Sequence, residues 1–269
     1  MTPRERLLLS LEHREPDRVP LDIGSTPSSS ISAIAYNRLK TRLGITDGHT
    51  RVYDLCQQVV LPEKWLLDRF GVDVIDIAQA WDTTESDWYP VFLSDGSCAE
   101  YPITIQTEYK PDGSVVALLK DGTVGGRMPN GATFFDQTIF PYLNDYPQDY
   151  RELSKAMNQV SWSAFVHAPW NHSEESSFFV ELRERTRHLK ENTDRALLLV
   201  CGCNLFEWGT FLRRIDQFLM DLIAEPKEVE RLLDALLEKH LQTLEKVCES
   251  VGDLVDIIRF GDDLGMDSG

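Results

Sequence analysis

Basic charge is what this sequence is shortest of. Its 27 Lys and Arg stand against 44 Asp and Glu, a net charge of −17, so a nucleic-acid duplex or an anionic membrane meets net repulsion and no local basic patch offsets it. Long apolar runs are missing as well. Stretches such as Ala196 to Val200 fall far short of the roughly 20 residues that a bilayer-spanning helix requires. The start offers only Leu7-Leu8-Leu9 before charge returns at Glu12, too short for a secretory leader, and a cytoplasmic location is expected. Cysteine is sparse and irregular: Cys56, Cys98, Cys201, Cys203 and Cys248 form an odd set, which fits reduced thiols better than a disulfide framework. A phosphate-cradling glycine loop is lacking, since Gly125 to Gly131 follows a hairpin and precedes no helix. What is present, 42% hydrophobic and 26% charged residues over a length of 269, is the composition of a globular protein with a sizeable core.

Local signals order the chain. Thr2, Pro3 and Glu5 make a helix start with a capping box, predicting a short helix to about His13. Arg18 to Gly24 reads as a first strand, followed by a serine-rich loop, and Ile31 to Leu43 as a helix stopped by Gly44. Val52, Leu55, Cys56, Val59 and Val60 recur at helical spacing, with a break at Pro62 and a further helix through Phe70. Gly71 to Ala78 reads as a second strand. Asp95-Gly96, Asp112-Gly113 and Asp121-Gly122 then separate short β-rich runs, the signature of hairpins, so residues of about 83–135 read as an antiparallel meander inserted in an α/β frame. Trp162 to His172 is loop-like, and Phe178 to Leu189 marks a charged surface helix. Ala196 to Gly202 is a third strand, apolar enough for a parallel sheet covered on both faces. Pro226 opens a long amphipathic helix ending before Gly252, and Leu254 to Ile258 is a fourth strand.

Strands separated by helices imply βαβ units. Four such strands are half of the eight that a (β/α)8 barrel closes with, so the fold expected is α/β, the first half of a barrel plus the β-rich insertion, in a single domain spanning 1–269. An open half-barrel leaves edges and an apolar face, which predicts a homo-oligomer or a partner chain covering it.

Several segments carry a resemblance. They are Arg4-Glu-Arg-Leu7 with Glu15-Pro-Asp-Arg-Val-Pro-Leu-Asp-Ile-Gly24, Ala35-Tyr-Asn-Arg-Leu-Lys40, Arg51-Val-Tyr-Asp54 and Arg69-Phe-Gly-Val-Asp73. Further on come Leu205-Phe-Glu-Trp208, Phe211-Leu-Arg213, Met220-Asp-Leu222 and Gly261-Asp-Asp-Leu-Gly265. In order and spacing the chain resembles the uroporphyrinogen decarboxylase superfamily, and within it the corrinoid-linked methyltransferase-like branch. The resemblance implies a barrel with the substrate cleft at its C-terminal mouth, continuing through four more strands beyond Gly265. It also implies methyl transfer between a corrinoid, free or carried by a corrinoid protein, and a thiol or similar acceptor. Zinc, where relatives use it, sits on a His-x-Cys pair and a later Cys, expected beyond residue 269. The alternative is porphyrinogen decarboxylation, but that branch places arginines after its first strand where this chain has Ser25 to Ser32. A third reading is a non-catalytic binding subunit.

Candidate site residues follow from strand ends, where barrel enzymes keep their chemistry. Asp262 and Asp263 after the fourth strand are the catalytic candidates, as proton acceptors or substrate-orienting groups, against a helix-capping role. Asn204 and Glu207 after the third strand, with Trp208 as an apolar wall for a flat cofactor, are substrate-binding candidates against ordinary helix-start chemistry. Asp22 and Gln79 complete the substrate-binding set. Asp76 reads as a solvated strand end. Cys201 and Cys203 share a strand face, yet with no nearby histidine they make a poor zinc pair and read as a buried residue and a loop thiol. His167 and His172 read as surface residues.

Overall fold

The computed structural model describes residues 1–77, 84–166, 176–262 and 264. Helix α1 (Pro3–Leu11) starts as its sequence dictates: Thr2 and Glu5 close a reciprocal capping box behind Pro3. Helix α2 (Ala33–Leu43) begins on the Ser32 hydroxyl and ends on Gly44 at φ +69, a left-handed stop that glycine reaches without strain. Strands β1 (Val52–Asp54) and β2 (Val59–Val60) form a hairpin, followed by α3 (Lys64–Phe70) and β3 (Val74–Asp76). The meander comprises β4 (Trp88–Phe92), β5 (Cys98–Pro102), β6 (Gln106–Tyr109), β7 (Val115–Leu118), β8 (Val124–Met128) and β9 (Asp136–Gln137). Its three Asp-Gly pairs sit between β4 and β5, β6 and β7, and β7 and β8, with each glycine at φ +80 to +83.

Helices α4 (Leu153–Met157), α5 (Ser161–Ala164) and α6 (Ser176–Glu191) lead to β10 (Ala196–Val200). Then α7 (Phe206–Arg213), α8 (Ile215–Ala224) and α9 (Pro226–Val251) lead to β11 (Ile257–Arg259). Three strands run parallel in the order β11-β10-β3, with Leu198 opposite both Ile257 and Asp76. One face of this sheet, through Ile75, Leu197 and Leu199, joins the main core with Val247 and Val251 of α9 and Leu182 of α6. The other face, through Val74, Ala196 and Leu198, packs on Leu7 of α1. A second core gathers Trp208, Leu212, Phe218, Leu232 and Leu236 from α7, α8 and α9. Among the described residues no helix is long and apolar enough to cross a membrane.

Three expectations are corrected. The barrel is the first: among the described residues the parallel sheet is open and three-stranded, and the other strands form small antiparallel sheets of two and four strands. With the barrel goes its predicted first strand, since Arg18 to Gly24 forms no strand. Pro20 has no N–H to give a ladder. Leu21 spends its N–H on the Asp73 carboxylate (2.7 Å) and its C=O on the Asp73 N–H (2.8 Å), and Asp22 turns the chain back onto Ser25. The second is the stretch Val52 to Val60, whose helical spacing is overridden into the β1–β2 hairpin. Gln58 takes φ +55 at the turn, a conformation costly outside glycine, and is held there because its amide donates to Leu55 O (2.8 Å) and accepts from the Tyr101 hydroxyl (2.7 Å). The third is the loop expected at Trp162 to His172, which begins as α5; His167 and His172 lie outside the described residues.

Candidate functional site

The carboxyl ends of β3, β10 and β11 meet the β1–β2 hairpin and the loop before α2. β3 ends on Asp76, which is 4% exposed, so its expected place as a solvated strand end is corrected: register against Leu198 of the central strand draws it inside. Beside it, Tyr53 of β1 is buried and its hydroxyl has no hydrogen-bond partner among the described residues. Burial pushes the Tyr53 phenol well above its ordinary value, with the carboxylates of Asp76, Asp54 and Asp22 adding to the effect and Arg259 opposing it. These residues therefore share one electrostatic neighbourhood. Asp54 is fully buried, and desolvation raises its carboxyl to about 6 even though the Gln57 backbone and side-chain amides both donate to it at 3.0 Å.

Arg259 ends β11. Its guanidinium lies over Gly261, where an added Cβ would stand 3.0 Å from Nη2, and it reaches Ser28 Oγ at 3.4 Å. Among the described residues no carboxylate lies within ion-pair distance of its guanidinium, which carries five N–H donors. Asp22, exposed, caps its own turn by accepting from the Ser25 N–H (3.0 Å) and hydroxyl (2.7 Å).

The loop after β10 is tied down from β11. Asp262 accepts the N–H groups of Leu205 (3.0 Å), Phe206 (2.9 Å) and Glu207 (2.8 Å), so it satisfies the orphan donors that open α7. The carboxylate caps a helix, but not the one following it in sequence. Asn204 donates to Glu207, accepts from the Gly261 N–H at 3.3 Å and gives its carbonyl to His240 Nε2 at 2.9 Å. With Nε2 donating to a carbonyl, His240 keeps its lone pair on Nδ1, which is buried without a partner among the described residues. Burial lowers this histidine to about 4, leaving the ring neutral.

The expected cofactor wall at Trp208 is corrected. Trp208 is buried in the second core, edge-on to Phe211, with its indole N–H on Gly202 O at 3.1 Å. Its neighbours in α7 and α8 supply enough apolar surface to bury an indole completely. The structure thus brings Asn204, Glu207 and Asp262 together, and Asp22 toward Tyr53 and Asp76. Gln79 and Asp263 lie outside the described residues. Sequence reasoning missed Tyr53, Asp54, Arg259 and His240. The run Arg51-Val-Tyr-Asp54 was noticed only as part of a resemblance, and read as helix it gave Tyr53 no reason to face strand ends. Among the described residues no group of three His, Cys, Asp or Glu side chains is placed to hold a metal ion. No family model matches the chain, and no curated protein or solved structure does either.

Proposed function

We propose that the chain is an enzyme whose small-molecule site lies at the carboxyl edge of the β3-β10-β11 sheet, and that it transfers a methyl group between a corrinoid and a thiol or similar acceptor. One observation carries the site: the buried Tyr53 hydroxyl, without a partner among the described residues, set among Asp22, Asp54 and Asp76 with Arg259 at the strand end. An acceptor thiol must lose a proton before its sulfur attacks carbon. In this reading Asp76 takes that proton, the sulfur takes the methyl group, and the electron pair of the broken methyl bond stays with the corrinoid. Tyr53 donates a hydrogen bond to a polar atom of the acceptor, and Arg259 holds an anionic group on it. The methyl-transfer assignment itself is supported by the sequence resemblance, and a cytoplasmic setting by the exposed free thiols of Cys98 and Cys248. Three carboxylates against one arginine make a poor receptor for a porphyrinogen with many carboxylates, which is why decarboxylation is not preferred.

The test is to mix the purified chain with methylcobalamin and mercaptoacetate and follow the visible spectrum of the cobalamin. Demethylation faster than with mercaptoacetate alone is expected, falling roughly 100-fold or more in Asp76→Asn, the scale of a lost acid–base group, and by a smaller factor in Tyr53→Phe, which loses one hydrogen bond. Rates equal to the free thiol in the folded wild-type chain would sink the proposal.

A further inference from the structure

Cys201 and Cys203 follow β10 directly, and the residue between them, Gly202, takes φ +68. In a continuing strand, residues two apart stand roughly 6.6 Å from each other. The left-handed glycine curls the chain instead, and the two sulfurs come to 3.3 Å. A disulfide needs them only about 1.3 Å closer. Cys201 is buried and Cys203 only partly so, so a reagent from solvent meets Cys203 first with the second sulfur already behind it. The contact also shares a proton between the two: the hydrogen bond favours ionisation of Cys201 and holds Cys203 protonated. Cys203 further lies 3.9 Å from the His240 carbonyl, which fixes the loop against α9.

We infer that Cys201 and Cys203 form a reversible dithiol–disulfide site that reacts with low-molecular-weight disulfides such as oxidised glutathione. Cys203, the outer sulfur, passes its proton to the Cys201 thiolate across the 3.3 Å contact and attacks one sulfur of the small disulfide, forming a mixed disulfide and expelling one small thiolate. Cys201, after giving up its proton, attacks the Cys203 sulfur, forms the internal bond and expels the second small thiolate. The protein loses two electrons and two protons; the small disulfide gains both and leaves as two thiols. The Gly202 carbonyl accepts the buried Trp208 indole N–H at 3.1 Å, so closing the bond alters the surroundings of that tryptophan.

The experiment uses the full chain carrying Cys98→Ser and Cys248→Ser, which removes the exposed thiols while Cys56 stays buried. After oxidised glutathione and alkylation, the tryptic peptide 196–213 holds both cysteines. It should be lighter by two hydrogens and unalkylated, tryptophan emission should shift, and dithiothreitol should reverse both. Adding Cys201→Ser should leave a stable glutathione adduct at Cys203. A peptide still alkylated twice, or a stable adduct with Cys201 present, would overturn the inference; the parent protein alone decides if the Cys201→Ser variant fails to fold. This outcome is independent of the methyl-transfer assay.

Discussion

At Asp54 two opposing effects meet and burial wins: two amide donors lower the carboxyl, yet desolvation leaves it at about 6 against an ordinary 3.8. A raised folded-state value means the folded protein holds this proton where the unfolded chain has released it. The associated stability is complete below about pH 4 and is lost as pH rises through about 6, a difference of about 3 kcal/mol. Asp54→Asn keeps an amide-sized acceptor without the charge, so urea unfolding of wild type and variant from pH 4 to 7 should show the variant gaining about 3 kcal/mol relative to wild type. A constant offset would disprove this. None of it could be read from Asp54 alone, because the same aspartate in an exposed turn ionises normally. Asp262 shows the converse: its place after the fourth strand was legible, and its partners were not.

Helix α7 shows how an element can depend on a distant residue. α1 carries its own start signal, Thr2 and Glu5 within one turn, and was legible for that reason. α7 opens on Leu205, which has no side-chain cap of its own, and its first donors are met by a carboxylate some fifty-five residues onward. Asp262→Ala should therefore cost about 2 kcal/mol, as charged hydrogen bonds to helix-start donors do, with Asp262→Asn costing about half as much. Chemical denaturation measures both, and a loss below about 0.5 kcal/mol in the alanine variant would refute the capping role. The β1–β2 hairpin teaches the same lesson: its apolar spacing suits a helix, and Tyr101 from β5 helps hold Gln58 in the turn.

The whole molecule hinges on a buried charge. Asp73, fully buried just before β3, accepts from Arg6 of α1 at 2.5 Å, Arg18 at 2.7 Å and the Leu21 N–H at 2.7 Å. It therefore joins the first helix and the segment after it to the parallel sheet. Asp73→Ala takes from the buried Arg6 guanidinium its buried carboxylate, leaving it the exposed Asp17 and the Met1 carbonyl, and should cost about 3–5 kcal/mol. Asp17→Ala, on the solvent side of the same arginine, should cost far less, because water screens that pair; equal losses in thermal and urea unfolding would show that the inner pair has no special weight. The sequence by itself determined what is local: the capping box of α1, the glycine stop of α2, the three Asp-Gly turns, the long amphipathic α9 and the apolar β10. Each depends on residues within a few positions of one another. Only the tertiary structure decided that Arg18 to Gly24 is not a strand, that Val52 to Val60 is not a helix, and that Tyr53, Asp76 and Arg259 lie in one electrostatic neighbourhood. These outcomes turn on buried partners far apart in the chain, whose desolvation and hydrogen bonding outweigh local preference.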